Sequence, residues 1–119
     1  MGSEPVLVVG GGAAGLLCAG IARRRAIPVT VLERSARPAR KVLITGKGRC
    51  NLTNHCTVEE FFPRVCTNSR FLYSALRGFS PQDTMALFEQ LGVPLETERG
   101  DRVFPVSDRA AGGGGALGA

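Results

Sequence analysis

Tryptophan is absent from the 119 residues, histidine and tyrosine occur once each, and aromatics make up 6%. His55 stands alone, with no carboxylate paired to it by spacing, so it is not expected to act as a general acid or base. A zinc site would need more ligands than His55, Cys56 and their neighbours supply. The four cysteines, Cys18, Cys50, Cys56 and Cys66, form no CxxC pair. Five residues separate Cys50 from Cys56, which also misses the CxxxxC of a redox-active disulfide. Neither a metal nor a redox disulfide is therefore expected. Cys18 is assigned to a buried helix–strand contact. Cys50 is the thiol whose polar loop points to function.

Long uninterrupted apolar runs are also missing. Val6–Ala22 is uncharged, but five glycines break it and its 17 residues fall short of the ~20 of a helical span. Glu4 stands where a signal peptide carries positive charge, and MGSEPV lacks the Ser or Thr of a myristoylation signal. A cytoplasmic protein with no membrane partner is expected. Acidic residues are the scarcer charge, 10 against 15 basic, for a net charge of +5. The basic residues concentrate in 23–49 with no aromatics between them, so a nucleic-acid partner is not expected.

What the chain does have is concentrated in Val6–Glu33, VLVVGGGAAGLLCAGIARRRAIPVTVLE. Val6–Val9 is apolar and β-branched, and reads as a strand buried on both faces. It runs into Gly10-x-Gly12-x-x-Gly15, after which the spacing becomes helical from about Gly12 to Arg25. Gly10 permits the tight strand-to-helix turn, Gly12 leaves room for a pyrophosphate against the backbone, and Gly15 allows close helix–sheet packing. The first-turn N–H groups and the helix dipole, worth about 0.3–2 kcal/mol per favourable charge, face the phosphates. Val29–Leu32 is the second strand. Glu33, 18 residues beyond Gly15, is placed to accept hydrogen bonds from both ribose hydroxyls and to repel a 2′-phosphate. Strand, turn, helix and acid together predict dinucleotide binding, with part of the 23–49 charge serving as a field for the cofactor. Within the helix, Ala14, Cys18 and Ala22 form one small-residue stripe, and Leu17 with Ile21 another.

The stretch 34–56 is basic and polar. Thr45-Gly46-Lys47-Gly48 is shaped as a turn, and Val42–Ile44 reads as a short strand or a helix end. Arg49-Cys50-Asn51-Leu52-Thr53-Asn54 reads as a loop dense in hydrogen-bonding groups. Further along, Asn68–Gly78 has helical spacing with Gly78 capping it, and Ser80-Pro81 starts a helix that Gly92 stops. Val93–Thr97 and Arg102–Val106 are expected strands joined at Gly100-Asp101. Phe61, Phe62, Phe71, Phe79, Phe88 and Phe104 are assigned to the core. Ala110–Ala119 is a low-complexity tail, so 1–109 is taken as the N-terminal part of a cofactor domain and 110–119 as a flexible Gly/Ala end.

Three segments, GGGAAGL (10–16), KVLITGKGRCNLTN (41–54) and RVFPVSDRA (102–110), together resemble one family. It is the bacterial-type NAD(P)/FAD-dependent oxidoreductases, including YhiN-like flavoproteins and bile-acid Δ4,6-reductase-like enzymes. The TGxGRCNxTN string is the specific part, and Asp101 stands where relatives often have Gly. The resemblance implies an α/β fold: a Rossmann-like FAD-binding βαβ unit with additional helices and an incomplete doubly wound sheet. It also implies FAD as cofactor and NAD(P)H as electron donor. Gly10, Gly11, Gly12, Ala14 and Gly15 then match the pyrophosphate turn, Glu33 the ribose acid and Arg34 the adenosine end. Lys41, Thr45, Gly46, Gly48, Arg49, Cys50 and Asn51 match the motif lining the cleft toward the flavin. Relatives are several-fold longer and carry a second domain that covers a small-molecule substrate. The expected function is the FAD-binding portion of a flavin-dependent oxidoreductase. The alternatives are a truncated, non-catalytic dinucleotide-binding module or an NAD-dependent dehydrogenase fragment. Lacking further strands, the first strand is expected to be an exposed edge, and the isolated chain to bind FAD weakly or not at all.

Overall fold

The computed structural model describes residues 4–106, which divide into two compact units, one ending at Cys50 and the next beginning at Asn51. The expected Gly/Ala tail, 110–119, lies outside the described residues, as does the end of RVFPVSDRA.

In the first unit, β1 (Val6–Val9), α1 (Ala13–Arg24) and β2 (Val29–Leu32) form a βαβ unit. β1 and β2 pair in parallel, with Val6 beside Val29 and Val9 beside Leu32. The ladder extends at both ends: Val6 N–H donates to Pro28 C=O and Gly10 N–H to Leu32 C=O, both at 2.8 Å. Both strands form where the β-branched runs place them. Their burial differs from expectation. Val8 is buried, but Leu7 is 59% exposed and Val9 81%. Side chains alternate across a strand, α1 covers the Val8 face, and among the described residues nothing layers over Leu7 and Val9. Leu32, beside Val9, is exposed on the same open face. Among the described residues β1 pairs only with β2, so its other edge carries no strand.

The packing face of α1 is turned from the expected one. Ala14 and Cys18 are exposed, whereas Ala19 is buried and Gly15 lies against Val8. One residue along a helix is ~100° around its axis, so the stripe that meets the strands runs through Gly15 and Ala19, not Ala14 and Cys18. Arg23 and Arg24 occupy the last turn, where positive charge complements the carbonyl end. Beyond β2, Val42–Ile44 takes the helical alternative and not the strand: it opens one 3₁₀ stretch, Val42–Gly48, that also takes in the expected turn.

The second unit is built on a three-stranded antiparallel sheet in the order β3–β5–β4: β3 (Thr53–Asn54), β4 (Leu95–Glu98) and β5 (Arg102–Pro105). β3 arises inside the expected polar loop, pairing Thr53 with Val103 and Asn54 with Arg102. The Asn54 side chain also donates to Gly100 C=O at 3.1 Å. Among the described residues, three α-helices accompany the sheet: α2 (Val58–Phe61), α3 (Tyr73–Gly78) and α4 (Pro81–Gln90). α4 starts as the sequence predicts. Ser80 and Asp83 form a reciprocal capping box with Pro81 in the first turn. It ends in a Schellman motif, with Gly92 N–H donating to Glu89 C=O and Val93 N–H to Phe88 C=O.

The core of this unit is Val103, Phe104 and Pro105 of β5, with Leu87, Phe88, Pro81 and Cys56. Burial pushes the Cys56 thiol above its usual range. Two of the six phenylalanines, Phe88 and Phe104, are buried, but Phe71 is 81% exposed, against expectation. The segment expected to be one helix from Asn68 begins as a 3₁₀ turn, Ser69–Leu72, and becomes α-helical only at Tyr73. The tighter winding removes Phe71 from the face that the 3.6-residue spacing assigned to it.

Candidate functional site

The turn between β1 and α1 is shaped by three glycines, each for a separate reason. Gly10 has φ of +102°, and a Cβ there would meet nothing within 4 Å. Backbone conformation, not a side-chain clash, restricts this position to glycine. At Gly15 the restriction is steric: a Cβ would lie 2.0 Å from Gly10 C=O oxygen and 3.2 Å from Val8 Cγ1. At Gly11 a Cβ would press on Glu33 Cβ and Cγ at 3.3 Å. Gly12 differs from these, because a Cβ there would enter open space. It is also the N-cap of α1, and no side chain caps the helix. The first-turn amides therefore face an open volume that an anion fits.

Glu33 projects from the end of β2 directly against this turn. Its Oε1 accepts from Gly11 N–H at 2.9 Å, and its Oε2 accepts from Ser35 N–H at 2.7 Å and from the Ser35 hydroxyl. These donors lower the Glu33 pKa from 4.5 to about 2, the Ser35 hydroxyl contributing most, then the Ser35 and Gly11 amides. Partial desolvation opposes the shift, and the Arg34 charge adds a smaller lowering. Gly11 is held on its other side as well. Its carbonyl accepts from Ala39 N–H at 2.6 Å, so the segment after β2 folds back over the glycine turn. Ala39 is buried and holds a left-handed φ of +58°.

The result is a cleft of about 970 Å³, at the upper end of the ~300–1,000 Å³ usual for small-molecule sites. Gly11, Gly12 and Ala13 form its floor, Glu33 one wall, and Arg34, Arg37, Arg40 and Lys41 a cationic rim, with apolar contributions from Val42 and Ile44. Several cations around one ionised carboxylate suit a ligand bearing both phosphate and hydroxyl groups.

The expected site residues divide accordingly. Gly11, Gly12, Glu33, Arg34 and Lys41 line the cleft, Gly10 and Gly15 shape the turn behind it, and Ala14 lies exposed in the first turn of α1. Thr45, Gly46 and Gly48 lie along the 3₁₀ stretch, and Arg49 and Cys50 follow it. Gly48, Arg49 and Cys50 are not in the cleft lining. Cys50 is buried at a φ of +62°. Asn51 begins the second unit. The sequence reading missed Ser35, Arg37, Ala39 and Arg40. Arg37 and Arg40 were visible only as part of a basic run, and Ser35 only as a hydroxyl two residues after an acid.

A parallel βαβ unit with a glycine turn, an uncapped helix start and an acid at the second strand's tip defines a Rossmann-type dinucleotide-binding domain. The HI0933-like protein Rossmann domain matches residues 4–112, and the chain belongs to that family. It is 35% identical over 109 residues to a 3-dehydro-bile acid delta(4,6)-reductase of Clostridium scindens, covering 87% of this chain and 25% of the relative. It is 32% identical over 87 residues to a ribosomal RNA dihydrouridine synthase of Escherichia coli, covering 73% and 21%. A ribosomal RNA dihydrouridine synthase of Haemophilus influenzae is 30% identical over 98 residues, covering 82% and 24%. The chain thus spans at most a quarter of the length of these relatives. No described helix is long and apolar enough to cross a membrane.

Proposed function

We propose that this chain is the FAD-binding portion of a flavin-dependent oxidoreductase that passes a hydride from NAD(P)H through FAD to an organic acceptor. The observation that carries the reading is the 2.9 Å hydrogen bond from Gly11 N–H to Glu33 Oε1, which puts a carboxylate beside the phosphate turn. The residues present fit the adenosine half of FAD. The open space over Gly12 and the uncapped first-turn amides of α1 receive the pyrophosphate, and Glu33 receives the ribose. Arg34 serves the adenosine end, while Arg37, Arg40 and Lys41 add positive potential at the rim. Thr45, Gly46, Gly48, Arg49, Cys50 and Asn51 are proposed to lie toward the flavin. FAD, when bound, supplies the two-electron chemistry, and the chain orients it and tunes its charge.

The relatives' names support an acceptor with a reducible carbon–carbon double bond. One is named for a delta(4,6)-reductase and two for making dihydrouridine. We take the acceptor to be a small molecule. An RNA acceptor is the second reading, favoured by the two synthases named for ribosomal RNA.

Titrating the chain with FAD and with NAD tests the cofactor. FAD is expected to bind in preference to NAD, but weakly or not at all, because one face of β1 and β2 stands open among the described residues. Flavin co-purifying in near-equal molar amount would overturn the weak-binding expectation. A preference for NAD would favour a dehydrogenase fragment, and no binding of either by a full-length relative would end the dinucleotide reading. In a full-length relative, replacing the residue equivalent to Arg49 with Ala is expected to slow flavin reduction or weaken FAD binding. Unchanged kinetics and affinity would remove Arg49 from that role.

A further inference from the structure

Glu33 is drawn in the simplest reading of this fold as an acid that grips two ribose hydroxyls at once. The geometry here allows less. An ionised carboxylate offers about four lone-pair sites, two on each oxygen. Oε2 already accepts twice, from the Ser35 amide and the Ser35 hydroxyl, and Oε1 accepts once, from Gly11 N–H. One good acceptor position is left, on Oε1.

The Ser35 hydroxyl has a single proton and two acceptors in reach, Glu33 Oε2 and Arg37 C=O at 2.9 Å. A charge-assisted bond to the carboxylate is the stronger of the two, so the hydroxyl donates its proton to Oε2 rather than to Arg37 C=O. Ser35 sits at the cleft wall and is itself only partly exposed. We infer that Ser35 is a positioning and specificity residue of the sugar site: by saturating Glu33 Oε2 it leaves only Oε1 to a ribose, so the protein reads one of the two vicinal hydroxyls and ignores the other. This inference rests on the dinucleotide reading of the cleft.

The test uses ADP, 2′-deoxy-ADP and 3′-deoxy-ADP as probes at millimolar concentration. Binding is followed by the backbone amide resonances of Gly11, Gly12 and Ala13. In the wild-type chain one deoxy analogue is expected to bind roughly tenfold more weakly than ADP, and the other within about twofold of it. Ser35→Ala opens Oε2, so both analogues then lose affinity relative to ADP. Ser35→Thr keeps the hydroxyl and restores the one-sided pattern, which a purely structural role would not do. Equal losses with both analogues in the wild-type chain, or a one-sided pattern that persists in Ser35→Ala, would overturn the role of Ser35 while leaving the cleft intact. If ADP perturbs none of the three amides, the dinucleotide reading itself fails, and the inference with it.

Discussion

β1 of the parallel pair β1–β2 and β5 of the antiparallel trio β3–β5–β4 are both four residues long and are used to opposite effect. β1 is VLVV, wholly apolar, yet Val9 is 81% exposed. β5 is RVFP, with a charged residue at its head, yet Val103 is fully buried and Phe104 2% exposed. Burial here follows layers, not strand hydrophobicity. β5 is the central strand of its sheet and packs in a unit with α4, whereas α1 covers one face of β1 and the described residues leave the other open. The second unit is stabilised by its own core. The first holds a shaped cleft on a thin frame, and its ladder, glycine contacts and the Glu33–Ser35 knot hold that frame together.

The contrast breaks most directly at matched positions in the two sheets. Phe104→Ala is expected to cost about 3–5 kcal/mol, because it empties a filled core. Val9→Ala on the open face is expected to cost under about 1 kcal/mol, within the span of strand propensity. Chemical denaturation of the two variants checks this. Comparable losses would mean that β1 is covered in solution on the face found open here.

A second pair of substitutions sharpens the comparison within the first unit. Gly15→Ala drives a Cβ to 2.0 Å from a backbone oxygen that cannot swing away, so the helix must shift off the strand. Overpacking of this kind costs about 1–3 kcal/mol. Gly12→Ala meets nothing, and its effect on stability is limited to a poorer N-cap, about 1 kcal/mol or less. Its effect on binding should be the larger of the two, since the methyl occupies the space over the turn. Thermal melts and an ADP titration of both variants separate frame from ligand space. A Gly12→Ala variant that binds ADP as the wild type does would move the phosphate away from this turn.

How much of this was legible in the sequence depended on the range of the interaction. β1 and β2 were placed to the residue, because β-branched runs beside a glycine turn and a Pro28 connection are local signals. The α4 boundaries were equally plain, fixed by Ser80, Pro81 and Gly92. The face of α1 was misjudged because stripes through Ala14–Cys18 and Gly15–Ala19 are both small-residue patterns, and only contact with Val8 chooses between them. β3 was missed because two polar residues, Thr53 and Asn54, carry no alternation. They become a strand only through β5, some 50 residues later. In the site, Glu33 could be found from its distance to the glycine turn. Ser35 and Ala39 could not, since their roles come from the way the chain after β2 turns back onto Gly11.

The smallest expected effect lies in acid. Glu33 falls from 4.5 to about 2 on folding, chiefly through the Ser35 hydroxyl and amide and the Gly11 amide. A depressed carboxyl stabilises the folded chain above its unfolded pKa and loses that contribution as pH drops through its folded one. Between about pH 4.5 and 2 the unfolded chain binds more protons at this position, so stability rises with pH across that window. Glu60 in the second unit is lowered too, by the Thr57 amide and hydroxyl of its capping box, and adds a slope of the same sign. Comparing wild type with Glu33→Gln cancels Glu60, which titrates in both, and isolates the carboxylate at the glycine turn. Thermal melts from pH 2 to 6 should show a flatter acid limb for Glu33→Gln, with the two curves keeping a constant separation above pH 4.5. Carboxyl-carbon NMR should find Glu33 still ionised at pH values where an ordinary glutamate is protonated. Parallel melting curves through the whole window would mean that the Ser35–Glu33–Gly11 knot does not hold in solution, and the first unit would then lose a polar tie between the end of β2 and the glycine turn.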